Sequence, residues 1–363
     1  MNVADSEEMS QHFLDRGVAM TETLDDADVV LLNTCTVRQH AEQRALSYIG
    51  RLKEWKKKRN NRCIIVAGCA AERLQKEMKS RFPHVDLVVG AKSIDAFPDL
   101  INKHFKKRAN FNWFNESESA FGQGGLRVSG QPLSLGNKED SAFVTIMRGC
   151  NYSCSYCIVP SVRGREIYRD PQEILQEIQE KTAAGQTKVM LLGQTVNSFW
   201  FRNADGRLSD FSDLVEQVQL LERVEEIRFM SPHPHYMSDK LIATLGRCDK
   251  ISPEIHMPVQ SGSNDVLKRM KRNYTVEEFT AIAQKMRAAI PNLRLSTDFI
   301  VGFPQETETD FEQTLQLTKN VEFSIAYCFK YSPRATTESA AWLDDISTET
   351  KENRLARLLE RFQ

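Results

Sequence analysis

The sequence predicts an α/β chain in two parts, an open, mostly parallel N-terminal α/β domain followed by an incomplete parallel barrel of six strand–helix units. Three observations predict it. Apolar runs of strand length alternate with helical patterns up to residue 104. The alternation lapses over 105–141, a stretch rich in Asn, Ser, Gly, Gln and charge. From Ala142 a second alternation begins, with strand candidates near Phe143, Lys188, Glu226, Glu254, Arg294 and Ser324. The expected division is an N-terminal domain over 1–104, a linker over 105–141 with Trp113 and Phe114 as its packing residues, and a core domain over 142–363.

Taken in order, residues 3–15 form an acidic amphipathic helix closed by Gly17. Residues 27–33 (ADVVLLN) read as a buried strand, 38–59 as a long helix, and 63–67 (CIIVA) as a strand. A helix over 71–81, a strand over 86–89 (DLVV) and a helix over 94–104 complete the first domain. Its first element is a helix with no strand before it, which implies that the chain begins one element late. In the second part, six units are too few for a closed eight-stranded barrel.

Composition bounds the function. With 363 residues, 41% hydrophobic and 27% charged, the chain is an ordinary globular protein long enough for two cores. A formal net charge of −1 gives no global basic field, so any nucleic-acid contact rests on local patches. The eight Cys are not spread as a disulfide framework, which points to a reducing compartment and metal chemistry. The acidic start (Asp5, Glu7, Glu8) lacks a secretory pattern and no apolar run approaches a membrane span, so the cytoplasm is the expected compartment and no membrane partner is expected.

The chemistry centres on Arg148-Gly149-Cys150-Asn151-Tyr152-Ser153-Cys154-Ser155-Tyr156-Cys157, three thiols spaced Cys-x3-Cys-x2-Cys in a loop that follows the first barrel strand. Three soft ligands this close can hold one metal centre, whereas clustered loop thiols are poor core material. Zinc wants four protein ligands, and no Cys or His pair of suitable spacing follows. A cubane iron-sulfur cluster fits better, since three Cys leave its fourth iron open.

This motif, with Tyr156 before the third Cys, resembles that of radical S-adenosylmethionine (SAM) enzymes. The resemblance implies a 4Fe-4S cluster on Cys150, Cys154 and Cys157 whose open iron chelates SAM. Other strand-end segments should converge on it: LGQTVN (192–197), MSPHPH (230–235), PVQSGS (258–263), STDFIVGFP (296–304) and YSPR (331–334). Gln194, Ser231, Gln260 and Asp298 are the expected contacts to SAM, with Tyr156 beside the adenine, although each polar strand-end residue also suits a helix cap. His233 and His235 read as satisfied loop imidazoles, Cys248 and Cys328 as structural. In IVPSVRGRE (158–166) two arginines, Arg163 and Arg165, suit a phosphate or the SAM carboxylate, or else surface ion pairs with Glu166.

In the first domain NTCTVR (33–38) and AGCAAE (67–72) each place a Cys after a strand and before a helix, at the sheet edge where open α/β folds put their sites. Cys35 and Cys69 then face one spot, or are two unrelated small apolar residues; Cys63, at the start of its strand, reads as core. Together with VRGRE, LLGQTVNS, RFMSPHP, MPVQSGS and TDFIVGFPQET, these strings resemble the radical SAM methylthiotransferases over essentially the whole chain. The resemblance implies a methylthiotransferase N-terminal domain, a radical SAM barrel, and a second 4Fe-4S cluster on three N-terminal Cys. Cys35 and Cys69 match two of those. The first would precede Met1-Asn2 and is absent from this numbering, which leaves that cluster one protein ligand short.

VRGRE, LLGQTVNS and SPHP are most like the tRNA branch of the family. That implies addition of a methylthio group to carbon 2 of an isopentenyl-modified adenosine beside the anticodon. It also implies an electron donor of flavodoxin or ferredoxin type and a sulfur donor that the sequence does not specify. Basic runs at Lys53, Lys56, Lys57, Lys58, Arg59 and at Lys268, Arg269, Lys271, Arg272 suit RNA or are solvated faces. The family ends in a small RNA-binding β-barrel (TRAM) domain, whereas the chain ends at Gln363 inside a charged helix, so weak tRNA binding is expected of it alone. Alternatives are action on a threonylcarbamoyl-type adenosine or a ribosomal-protein aspartate, and a non-catalytic descendant that binds SAM or RNA.

Overall fold

The computed structural model describes residues 1–37, 39–106, 127–129 and 140–362; Arg38, Trp113, Phe114 and most of the expected linker lie outside them. The chain divides into two units, Met1–Leu135 with Ser161–Gly164, and Gly136–Pro160 with Arg165–Gln363.

The first unit runs α1 (Asn2–Leu14), β1 (Ala19–Thr21), β2 (Val29–Thr34), α2 (Gln39–Lys57), β3 (Cys63–Gly68), α3 (Cys69–Arg81), β4 (Leu87–Gly90), α4 (Phe97–Lys106) and β5 (Arg127–Ser129). Its strands form one parallel sheet in the order β1-β5-β2-β3-β4. Side-chain alternation along β3 explains the layering. Cys63, Ile65 and Ala67 pack with Met9, Phe13, Phe97 and Ile101 on one face. Ile64 and Val66 pack with Ile49, Leu52, Trp55 and Leu74 on the other. A strand buried on both faces reads as a continuous apolar run, which is why the sequence placed it, and Cys63 is core.

Two described strands of the first unit escaped the sequence. β1 and β5 are three residues each, too short to carry a period, and are fixed by pairing with each other and with β2. β5 falls inside the stretch expected to be linker, which is therefore not wholly a connection.

The second unit begins with β6 (Ser141–Thr145) and β7 (Met147–Arg148). After the short helix α5 (Val159–Arg163) come β8 (Ile167–Tyr168), α6 (Pro171–Ala183), β9 (Lys188–Leu192), the hairpin β10 (Trp200–Arg202) and β11 (Leu208–Asp210), and α7 (Phe211–Gln219). Then follow β12 (Glu226–Phe229), α8 (Asp239–Arg247), β13 (Glu254–His256), α9 (Asn264–Arg269), α10 (Val276–Ala289), β14 (Arg294–Val301), α11 (Glu308–Val321), β15 (Ile325–Lys330) and α12 (Thr348–Leu359). β6, β9 and β12 pair in parallel, as do β13, β14 and β15. An Ile227–Ile251 bridge joins the two sets, so six parallel strands follow one another as an open barrel. Capping boxes at Asp210, Thr275 and Thr307 start α7, α10 and α11.

Val189, Leu191, Ile227, Phe229, Leu295, Phe299 and Val301 belong to the apolar core shared with the helices. The alternate residues Met190, Arg228, Ser296 and Asp298 point to the opposite face and stay half-buried. That face carries the polar chemistry. Among the described residues, no helix is long and apolar enough to cross a membrane.

Candidate functional site

The three-thiol loop lies between β7 and α5, and partners from distant elements hold it in shape. Gly149, at φ 80°, donates its N–H to Gln194 Oε1 just ahead of Cys150. Asn151 and Glu166 bind each other reciprocally, side-chain amide to carboxylate at 3.0 Å and backbone N–H to amide oxygen at 3.2 Å. Ser155 is buried, its N–H on Met270 O at 3.1 Å and its hydroxyl on Arg269 O at 2.8 Å. Cys157 N–H donates to Cys154 O at 3.0 Å, closing the turn that brings two thiols round.

Cys150 Sγ lies 3.4 Å from Thr195 Oγ1, and Arg272 Nη1 donates to Cys154 Sγ at 3.6 Å. Arg272 is itself held by Tyr274 OH at 2.9 Å and Pro258 O at 3.2 Å. Burial pushes the Cys157 thiol up to about 12, and the neighbouring Cys154 and Cys150 add to the shift. Burial also raises Cys150, with Thr195 pulling the other way. Cys150 and Cys157, raised by burial and by the neighbouring thiols, ionise readily only when positive metal offsets their charge. Among the described residues no three His, Cys, Asp or Glu side chains stand at the spacing of one metal ion. Three thiols from one loop suit a cluster with one thiol per iron, whereas a lone zinc wants a fourth protein ligand.

The expected SAM contacts divide. Gln194 spends its amide oxygen on the loop backbone. Ser231 (φ 61°) and Gln260 (φ 76°) both have left-handed backbone at strand ends, strain of a kind that concentrates at functional sites. Gln260 pairs with β14 through Asp298 O at 2.8 Å and Ile300 N at 2.9 Å. Asp298 Oδ2 lies 3.4 Å from His256 Nε2, and His256 Nδ1 lies 3.0 Å from Ser296 Oγ. Tyr156 packs on Phe303, Val266, Met270 and Tyr331. His233 stacks on Tyr152 at 4.0 Å, and burial pushes its pKa down to about 2, so it is neutral. The expectation of satisfied imidazoles holds for its Nδ1, bonded by His235 N–H, but Nε2 has no partner.

Sequence reasoning missed Arg272, Thr195 and His256 as site residues; only the pairing of distant elements reveals them. Of the two readings of Arg163 and Arg165, a phosphate or SAM carboxylate or else surface ion pairs with Glu166, the second is not seen among the described residues, and Arg163 pairs with Asp5. Glu166 instead accepts from Asn151, Tyr168 and Ser198. Of the basic runs, Lys56, Lys57, Lys58 and Arg59 pair with Asp86, Glu54, Asp25 and Asp28, and Trp55 is buried, which makes that run a solvated face.

In the first unit Cys35 follows β2 and Cys69 follows β3, directly after the paired residues Thr34 and Gly68. Thr34 Oγ1 ties the two ends, donating to Ala67 O at 2.6 Å and accepting from Ala71 N at 3.2 Å. Gly68 is at φ 94°, and a Cβ there would lie 2.3 Å from Asn33 Oδ1 and 2.4 Å from Thr34 O. Gly68→Ala is therefore expected to cost about 1–3 kcal/mol, read as a lowered melting temperature, and to displace Cys69; an unchanged melt would contradict the close approach. Burial raises the Cys69 thiol, and the Arg163 guanidinium opposes that. Arg163 pairs with Asp5 at 2.7 Å and with Asn2 Oδ1 at 3.1 Å. The buried Cys69 thiol thus has an arginine for a neighbour, with the half-buried Cys35 at the adjacent strand end.

A match to the radical SAM superfamily covers residues 144–318, and one to the uncharacterized protein family UPF0004 covers residues 1–90. The open barrel, its three-thiol loop and these matches define a radical SAM enzyme with an added N-terminal α/β domain. The chain is 40% identical over 362 residues to the tRNA-2-methylthio-N(6)-dimethylallyladenosine synthase of Clostridium botulinum (strain Loch Maree / Type A3), covering 99% of this chain and 78% of that protein. It is 41% identical over 362 residues to the protein of the same name from Caldicellulosiruptor saccharolyticus, covering 99% and 75%. The chain belongs to the tRNA-2-methylthio-N(6)-dimethylallyladenosine synthase family. Among solved structures, the radical SAM methyltransferase TsrM from Kitasatospora setae aligns with a TM-score of 0.61 at 12% identity, over 86% of this chain and 64% of that one. The cobalamin-dependent radical SAM enzyme OxsB aligns with a TM-score of 0.56 at 16% identity, over 93% and 48%. At such identities the likeness shows the fold alone.

Proposed function

We propose that this chain adds a methylthio group to carbon 2 of an isopentenyl-modified adenosine in tRNA, in the cytoplasm. The observation that carries the reading is the second thiol pair. Cys35 and Cys69 stand at adjacent strand ends of a separate domain, which a radical SAM core alone does not need, and sulfur insertion requires somewhere to hold sulfur. Cys150, Cys154 and Cys157 would ligate one 4Fe-4S cluster, and Cys35 and Cys69 would supply two ligands of another. The first cluster, when bound, supplies the electron that cleaves SAM to a 5′-deoxyadenosyl radical, which an unactivated aromatic carbon requires because it offers no acidic proton.

The chain's residues do the rest. Gln194, Asn151 and Ser155 fix the loop, while Thr195 shares a hydrogen bond with the Cys150 thiol and Arg272 donates to Cys154 Sγ. Ser231, Gln260 and Asp298, on left-handed or half-buried strand ends, would orient SAM, with Tyr156 beside its adenine. An electron donor of flavodoxin or ferredoxin type would approach the loop beside Ser153, where Lys268, Lys271 and Arg272 line a cavity of about 670 Å³.

The test is anaerobic reconstitution with iron and sulfide, metal counting, and incubation with SAM, reductant and tRNA bearing isopentenyl adenosine. About eight irons per chain and a methylthio nucleoside by mass spectrometry are expected. Zinc, or no metal, would overturn the reading. 5′-Deoxyadenosine without methylthio product would reduce it to a radical SAM core, and product only from threonylcarbamoyl adenosine would move the substrate.

A further inference from the structure

Arg163 is a buried charge of the first unit that calls for a reason. Its side chain is 5% exposed and that of Asp5, its partner at 2.7 Å, is 0% exposed. A buried ion pair contributes little net stability, because desolvating both ions offsets their attraction. Stability alone is therefore a poor reason for an arginine here. The guanidinium is also only half used. Nη2 donates to both Asp5 Oδ2 and Asn2 Oδ1, while the buried Nη1 has no hydrogen-bond partner. An orphaned buried donor on a cation is costly unless something accepts from it.

The planar fork settles where that donor is held. With Nη2 pinned by two oxygens, the guanidinium plane is fixed, and Nη1 cannot swing away to find water. Asn2, which Arg163 holds, also accepts from Asn33 Nδ2 at 2.8 Å; Asn33 lies two residues before Cys35 and pairs with Ala67, two before Cys69, so the guanidinium stands at the strand ends that carry both thiols. The same helix end also places the Cys69 thiol at the start of α3, after a glycine whose close approach to β2 admits no side chain.

We propose that Arg163 is a positioning residue of the metal centre on Cys35 and Cys69: its free Nη1–H donates to a sulfur of that centre and raises its reduction potential. The inference rests on the second-cluster reading. A donor aimed at thiolate or sulfide sulfur stabilises the more negative, reduced state, so its removal makes reduction harder. Arg163 stands six residues after Cys157 in sequence, and no local pattern in VRGRE reveals this role.

The experiment isolates this centre in the full chain carrying Cys150→Ala, Cys154→Ala and Cys157→Ala, reconstituted anaerobically with iron and sulfide. Its midpoint potential is measured by electron paramagnetic resonance during titration with dithionite. Arg163→Gln is expected to keep the iron content of the parent and to shift the reduction equilibrium at least tenfold toward the oxidised state, 59 mV for a one-electron couple. Because Arg163→Gln strands the Asp5 charge, the same shift is also read between Asp5→Asn and the double variant Asp5→Asn/Arg163→Gln, in which no buried charge is left unpaired. Equal potentials within either folded pair, with iron retained, would overturn the proposal. Loss of iron from the double variant would also overturn it, by making Arg163 a folding prop. A parent that takes up no iron would defeat the second-cluster reading itself, and the proposal with it.

Discussion

Cys154→Ala is expected to abolish reductive cleavage of SAM, lowering 5′-deoxyadenosine formation on the order of a thousandfold or more, about 4 kcal/mol in barrier terms. The choice of Cys154 over its two companions is structural. Its charge acts on Cys150, Cys157, Tyr152 and Tyr156, and it is the sulfur that receives Arg272 Nη1 at 3.6 Å. Without it, two thiols remain for a cluster that uses three, and Arg272 is left facing an empty place. The fold should survive, since Ser155 and Asn151 hold the loop through their own hydrogen bonds. The check is to count iron, record the melting temperature and quantify 5′-deoxyadenosine in the same preparation. Iron should fall from about eight to about four per chain. Persistent SAM cleavage in the folded variant would refute the assignment of the loop as the cluster site.

What the sequence disclosed, and what it withheld, follows from the range of each interaction. β3 was legible because a parallel strand covered on both faces is apolar along its whole length, and barrel strands such as β9, β12 and β14 because core-facing residues alternate along them; both are local patterns. The placing of thiols after strands was legible for the same reason: a strand end and the helix start behind it are both written in a few adjacent residues. β1 and β5 were not, since three residues acquire strand geometry only from partners elsewhere. The arginines are the sharper case. Arg272 reaches Cys154 across 118 residues, and Arg163 reaches Asp5 across 158. In the sequence the first looks like one charge in a basic run beside Tyr274 and the second like half of a surface pair with Glu166. Only the fold turns each into a donor beside a thiol. On the reading proposed above, both centres would have the same construction, cysteines supplied just after a strand and a fixed guanidinium supplied from far away.

That shared construction makes the two centres separable by mutation. Cys69→Ala is expected to block methylthio transfer to tRNA while SAM is still cleaved to 5′-deoxyadenosine. The thiol is 2% exposed and is followed by Ala70 and Ala71, both fully buried, so alanine fits the local backbone and removes only one sulfur from the first unit. Gly68 keeps its left-handed turn, and Thr34 still ties β2 to α3, so the domain should melt near the parent temperature. What changes is the ligand set: Cys35 would stand as a lone thiol beside Arg163, too few donors to retain a cluster. None of the groups that hold the Cys150 loop belongs to β3 or α3, and therefore radical generation should continue. Nucleoside mass spectrometry and 5′-deoxyadenosine measured together decide it. Loss of the methylthio product alone assigns Cys69 to the sulfur-delivering centre. Loss of both products from a folded protein would mean that Cys69 serves the radical step, and the division of labour between the two domains would have to be abandoned.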